Sequence, residues 1–356
     1  MSKPYLWQEA DFPHFYHNPA VSRVLEEKFQ EEVSKLDQML HTQEVGFDDV
    51  FTEEIVANSE IEGVILDRES VHSSFVSNLT PVHEKEQGAV ALTQMALAHC
   101  DRELSHDLLL SMHREIMKGA NVPAESIGNY VGDMKIVSGH RLDQEYTVVH
   151  EGVSKELVHE KMTEFIEWYH QCPADTPLTN AVQGHVHFET IHPFCDGNGR
   201  IGRSLILMGL CRDLGRNTPL ALSRAFNKDL KTYYAQFQAG LDLTSTLQSM
   251  NPLFLNAVKE TGLLLELTAF RTKFFDQSED LNPRQVKVLN RLIDYELKGG
   301  FDGGMSNTKY QKMTGIGDRT ALRDLAELQE LGLMVKTGQL KGTRYHLNVP
   351  HLTIDL

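Results

Sequence analysis

Apolar residues recur at helical spacing along most of the chain. In "VSRVLEEKFQEEVSKLDQML", Val21, Val24, Leu25, Phe29, Val33, Leu36 and Leu40 share one face, which predicts an amphipathic helix. "FDDVFTEEIVANSEIEG" reads as a second helix that stops near Gly63. Further helices are predicted over about 67–78, 85–102 and 105–118, with Ser105 as N-cap of the last. Ser154 is predicted to open another that runs to about 170. Thr179 is predicted to cap "NAVQGHVHFETIH", and "GRIGRSLILMGLCRDLG" ends at Gly215. "NKDLKTYYAQFQAG" follows, and Asn251-Pro252 is predicted to open a long helix to about 275. One region departs from this period. Residues 133–150 hold two β-prone runs, "MKIV" and "YTVV", around a polar turn, which predicts a hairpin.

The polar, acidic stretch "FFDQSEDLNPRQ" reads as a linker. Beyond it come a helix, a helix–turn–helix with Gly315 and Gly317 in the turn, and "VKTGQLKGTRYHLN" as a two-stranded wing. That order suggests a winged helix.

Composition changes this picture little. The chain has 356 residues, 41% hydrophobic and 24% charged, as in ordinary globular proteins. Its net charge of −16 argues against nucleic acid binding over the whole surface. The charge is uneven, since residues 281–356 hold 11 basic and 8 acidic side chains. The four cysteines show no CxxC spacing and fit reduced thiols in a cytoplasmic protein. The N-terminus has no apolar h-region and no cleavage site, and no apolar run approaches a membrane span, so neither a signal peptide nor membrane association is expected.

The densest chemistry lies in "HPFCDGNGRIGR", residues 192–203. Asp196-Gly197-Asn198-Gly199 precedes a helix. Its glycines permit a tight turn, and its N-terminal amides can form an anion nest. Arg200 and Arg203 are three residues apart and share a face, so they can reach neighbouring phosphates. Asp196 suits a hard cation such as Mg²⁺, and His192 suits a general base at neutral pH. Each feature alone has an ordinary structural reading, as a cap, a turn or a solvated face. Together they point to transfer of a phosphorus-centred group from a nucleotide to a hydroxyl. A zinc site at His185 and His187 is disfavoured, because residues two apart on a helix diverge.

This run resembles the signature of the Fic family, HxFx[DE]GNGRxxR, at every fixed position. The resemblance extends over the hairpin and the helices between about 85 and 245. It implies a mostly α fold: a Fic-type helical bundle with a small β-hairpin flap, plus the C-terminal winged helix. The expected domains are 1–80, an N-terminal helical extension with an inhibitory helix at about 48–63, then 81–275, catalytic, and 276–356, winged-helix-like. The implied activity is AMP transfer from ATP to a Ser, Thr or Tyr hydroxyl of a target protein, automodification included. A related branch has a lysine after the asparagine and transfers phosphate; Gly199 here favours AMP transfer.

The resemblance makes His192 the general base and has Asp196 hold Mg²⁺. Gly197, Asn198 and Gly199 position the α-phosphate, Arg200 binds the β-phosphate and Arg203 the γ-phosphate. Phe194 holds the loop in the core. The flap, with Ile136 and Val137, docks an extended target segment, and Tyr233 matches a tyrosine near the adenine. Leu241 stands where many relatives have an asparagine, and Val131 where relatives often have an arginine. "NSEIEG" resembles the family's inhibitory motif, with Asn58 in place of Ser or Thr and Glu62 as the acid that pairs with Arg203. The alternatives are removal of AMP using Glu62, and a DNA-binding regulator with a nucleotide-sensing core that contacts DNA through residues 281–356. The inhibitory acid and the apolar helices also fit a homodimer.

Overall fold

The fold was described from a computed structural model. It describes residues 5–42, 47–76, 83–101, 103–138, 147–215, 220–276, 280–298, 300–301 and 303–350. The chain divides into two compact units, residues 1–37 with 50–260, and residues 38–49 with 261–356.

The elements run α1 (Pro19–Thr42), α2 (Asp48–Glu60), α3 (Arg68–Val76), α4 (Glu84–Ala98), α5 (His106–Ile116), β1 (Lys135–Ser138) and β2 (Thr147–Glu151). They continue with α6 (Val158–Gln171), α7 (Pro177–Ile191), α8 (Asn198–Asp213), α9 (Leu222–Lys228), α10 (Leu230–Ala235) and α11 (Thr244–Asp276). The last are α12 (Pro283–Leu297), α13 (Asn307–Thr314), α14 (Asp318–Glu330), β3 (Met334–Thr337) and β4 (Arg344–Leu347). The protein is thus mostly helical, with two small antiparallel hairpins among the described residues.

The first unit is built around α8. Its apolar residues surround the whole helix, so Ile201, Leu205, Ile206, Leu207, Met208 and Leu210 are all buried. It packs against α7, α4 and α5. α4 and α5 come together at Gly88, where a Cβ would lie 2.2 Å from the Glu115 carbonyl oxygen. The start of α7 is held by an acid from another helix. Buried Glu26 on α1 accepts from the Leu178 and Thr179 amides at 3.0 and 3.1 Å and from the Thr179 hydroxyl at 3.2 Å. A carboxylate at a helix N-terminus satisfies orphan amides and complements the dipole. This anchors the helix whose other end carries His192.

The second unit has its own core, including Leu289, Leu292, Tyr310, Leu325, Leu328, Met334 and Leu347. Fully buried Asp324 accepts from Arg284 at 2.9 and 3.2 Å and from the Tyr310 hydroxyl at 3.1 Å. Asn282 and Gln285 form a reciprocal capping box at the start of α12, so Asn282-Pro283, expected to belong to the linker, instead caps and opens the helix.

Three predicted helix starts move, and the predicted helix "NKDLKTYYAQFQAG" breaks at Asp229, between α9 and α10. α7 starts at Pro177 after Thr176, because Glu26 draws Thr179 inside the first turn. α11 starts at Thr244, whose amide bonds the Asp242 carboxylate at 2.9 Å, and Pro252 lies inside the helix. Burial of Leu247, Met250, Leu253 and Phe254 around it outweighs the backbone bond that proline removes. α6 starts at Val158, with Ser154 heading a turn whose carbonyl accepts from Leu157 and Val158. The fourth helix, predicted to reach about 102, ends at Ala98 with His99 as its C-cap. The predicted end of the third helix and the tip of the first hairpin fall outside the described residues.

Candidate active site

His192 ends α7 with φ of 50°, a left-handed conformation that turns the chain sharply into Pro193 and Phe194. Phe194 is fully buried and stacks on His113, with ring centroids 4.2 Å apart. Burial pushes the His113 pKa down to about 4, so this ring is neutral at physiological pH, and its Nδ1 accepts from the Gly128 amide. The Asn198 side chain clamps the same loop, accepting from Phe194 N–H at 3.0 Å and donating to Phe194 O at 2.8 Å.

The loop then enters α8 at Gly197, with φ of 78°. The first helical bond joins Ile201 N–H to Gly197 O, which leaves the Asn198, Gly199 and Arg200 amides at the helix N-terminus. Asp196 is half-exposed. Its Oδ1 accepts from Gly197 N–H at 2.5 Å and from Arg200 at 3.3 Å.

Arg203 is 1% exposed, yet its donors are well satisfied. Nε donates to Asn58 Oδ1 at 2.7 Å, and the terminal nitrogens reach Tyr233 Oη at 3.0 Å, Asn58 O at 2.9 Å and Glu62 Oε1 at 2.8 Å. Burial opposes this charge, but Tyr233 and Glu62 outweigh it and raise the guanidinium pKa. Asn58 Nδ2 also donates to Arg200 O at 3.2 Å, so this one amide ties α2 to both arginine positions of α8. Glu62 lies in the turn after α2, which closes at Gly63 with φ of 73°.

Tyr233 lies inside the protein. It is 1% exposed, stacks between His185 and Phe226, and bonds His185 Nε2 at 2.9 Å. Its neighbour Tyr234 is 42% exposed. His187 points elsewhere, into the rings of Phe12, Phe15, Phe165 and Trp168.

In the flap, Ile136 pairs with His150 and Val137 with Val148, with a bulge between Ile136 and Val137. The His150 ring bonds Thr190 O at 3.0 Å and lies 6.2 Å from the His192 ring. Burial, with His192 nearby, pushes the His150 pKa below its ordinary value. Gly152 permits the close approach of flap and α7, since a Cβ there would lie 3.0 Å from His192 Cβ. Of the predicted site residues, His192 to Arg203 thus lie in one loop and the start of α8, with Glu62 against it and the flap beside it, while Tyr233 is buried on α10 behind Arg203.

Residues 103–210 match the family model described as Fic/DOC family. This chain carries a Fic domain. Residues 5–80 match a second model, described as a domain of unknown function, DUF4172. The Fic domain resembles part of two curated proteins, the protein adenylyltransferases fic-1 of Caenorhabditis elegans and Caenorhabditis briggsae. They are 30% and 31% identical over 112 residues, which is 31% of this chain. The likeness spans 20% of the length of either relative. A solved Fic family protein from Desulfovibrio desulfuricans G20 shares the fold at 20% identity, with a TM-score of 0.53 over 94% of this chain and 98% of that one.

Two groups beside the Fic loop went unnoticed in the sequence. Glu189, fully buried, has Oε2 3.4 Å from His192 Nδ1. Burial opposes its ionisation, but His192, His185 and Arg203 outweigh burial and hold its carboxyl below the usual range. His150 is the second. The spacing "ETIH" carries a signal for Glu189, since residues three apart on a helix are neighbours. Nothing local marks His150.

Proposed function

We propose that this protein transfers AMP from ATP to a hydroxyl of a target protein, itself included, and that Glu62 holds the reaction back. The observation that carries the proposal is the convergence of His192, Asp196, the α8 N-terminal amides, Arg200 and Arg203 around one loop. His192 accepts the proton of the acceptor hydroxyl. The hydroxyl oxygen bonds the α-phosphorus while the bond to the β-phosphate oxygen breaks and pyrophosphate leaves. The α8 amides and Gly197 to Gly199 hold the α-phosphate, and Arg200 holds the β-phosphate. Asn198 keeps the loop in shape through Phe194. Tyr233 keeps Arg203 in place. The flap, through Ile136 and Val137, pairs with an extended target segment.

The donor set suits Mg²⁺. Among the described residues no three His, Cys, Asp or Glu side chains form a metal cluster. Asp196 offers a half-exposed carboxylate, and Mg²⁺ commonly takes one or two carboxylates and completes its shell with phosphate oxygens and water. When bound, the ion neutralises charge on the phosphates.

Inhibition follows from the Arg203 contacts. Arg203 is the guanidinium proposed to take the γ-phosphate, and Glu62 and Asn58 occupy its donors. A γ-phosphate would also meet the Glu62 negative charge. Glu62→Gly is expected to raise automodification with ATP and Mg²⁺, and His192→Ala to abolish it. Equal, low labelling of Glu62→Gly and His192→Ala would contradict the proposal. A second reading, removal of AMP with Glu62 orienting a water, has support in the partial exposure of the Glu62 carboxylate. Incubating an AMP-modified target with wild type and Glu62→Ala separates the two: loss of AMP only with wild type favours removal.

A further inference from the structure

We propose that Glu189 is the positioning residue of His192: its carboxylate fixes the imidazole as the Nδ1–H tautomer and leaves the Nε2 lone pair for the acceptor proton. The inference rests on His192 being the general base. Glu189 and His192 lie three residues apart at the C-terminal end of α7, so their side chains meet on one side. Glu189 Oε2 is 3.4 Å from His192 Nδ1, and the Glu189 side chain is 2% exposed. His192 Nδ1 is buried and has no hydrogen-bond partner, which leaves the Glu189 carboxylate as the acceptor within reach. The separation is long for an N–H···O bond, but catalytic contacts of this kind tighten when substrate closes the site.

The surroundings leave Glu189 this role. Its carboxylate is ionised against the cost of burial because His192, His185 and Arg203 face it. α8 makes room for it at Gly202, where a Cβ would lie 2.7 Å from Glu189 Oε1. The neighbouring imidazoles are occupied: His150 Nε2 bonds Thr190 O, and His185 Nε2 bonds Tyr233 Oη. A ring nitrogen that donates to a carboxylate fixes the other as the acceptor. In the reaction the acceptor O–H bond breaks, the proton moves to Nε2, and ionised Glu189 balances the imidazolium without taking a proton itself.

The test is the ¹⁵N spectrum of the His192 imidazole in the full chain labelled at histidine, assigned by loss of its signals in His192→Ala. At a pH where the ring is neutral, Nδ1 is expected to carry the proton and Nε2 to show the shift of an unprotonated nitrogen. Glu189→Gln is expected to move the population towards Nε2–H, and Glu189→Asp to restore part of it. A wild-type ring protonated at Nε2 overturns the proposal, and this reading stands even if Glu189→Gln does not fold. In the Glu62→Gly background, Glu189→Gln is expected to slow automodification at least about tenfold at unchanged KM for ATP. An unchanged rate overturns the proposal too. The spectrum needs no target, so a chain that transfers no AMP would contradict the proposed function while leaving the tautomer result readable.

Discussion

At Gly199 the first turn of α8 runs against Glu62, the acid proposed to restrain the reaction. A Cβ there would fall 2.2 Å from Glu62 Oε1 and 3.0 Å from an Arg203 terminal nitrogen. The obstructing atom is the end of a flexible side chain, so the Glu62 carboxylate yields before the backbone does. Gly199 lies in the first turn of α8, where alanine suits a helix better by up to about 1 kcal/mol. Gly199→Ala is therefore expected to keep or raise the melting temperature and still increase automodification, by less than Glu62→Gly does. Unchanged labelling with unchanged stability would show that the carboxylate has another way to reach Arg203. The loop was legible in the sequence because its chemistry lies within twelve consecutive residues. The destination of each side chain was not. The bonds of Asn198 to Phe194, the burial of Tyr233 under Arg203 and the approach of Glu189 to His192 depend on how helices pack, which local spacing does not encode.

At the scale of elements, α2 is fastened along its length. Glu53 bonds Arg68 at 2.7 Å and Arg224 at 2.8 Å, Glu54 accepts from the Ser223 amide and hydroxyl, and Glu60 accepts from Asn227. Movement of Glu62 thus involves a helix held at its middle and at its C-terminal end. Burial pushes the Glu54 pKa up to about 7, with the Ser223 bonds opposing it. The folded state keeps this proton where the unfolded chain, near 4.5, has lost it. Stability from Glu54 is therefore full below about pH 4.5 and falls as pH rises through 7, by at most about 3 kcal/mol. Glu54→Gln is expected to remove that decline, read as the difference between wild-type and variant denaturant midpoints at pH 5 and pH 8. An equal pH response in both proteins would contradict it. Helix existence was largely readable from periodicity, but three helix starts were not. Those starts are set by Glu26 and Asp242, or by a turn at Ser154, and in the first case the partner is about 150 residues away.

At the scale of the molecule, two hydrophobic cores serve the two units. Among the described residues no helix is long and apolar enough to cross a membrane. The first core carries neutral histidines. Burial pushes His187 down to about 3 and His185 to about 4, and neither ring nitrogen of His187 has a hydrogen-bond partner. These depressed values mean that stability is full above about pH 6.5 and is lost as pH falls towards 4. His187 sits among aromatic rings, so His187→Phe is expected to raise the unfolding midpoint more at pH 5 than at pH 7.5; the opposite order would contradict the burial argument. The central proposal is that one Fic loop performs AMP transfer and that one acid in the turn after α2 restrains it. Intact-protein mass spectrometry of wild type, Glu62→Gly and Glu62→Gly/His192→Ala after incubation with ATP and Mg²⁺ tests this most directly. The account predicts an AMP adduct abundant only on Glu62→Gly; an adduct equally abundant on the double variant, or on none of the three, would contradict it.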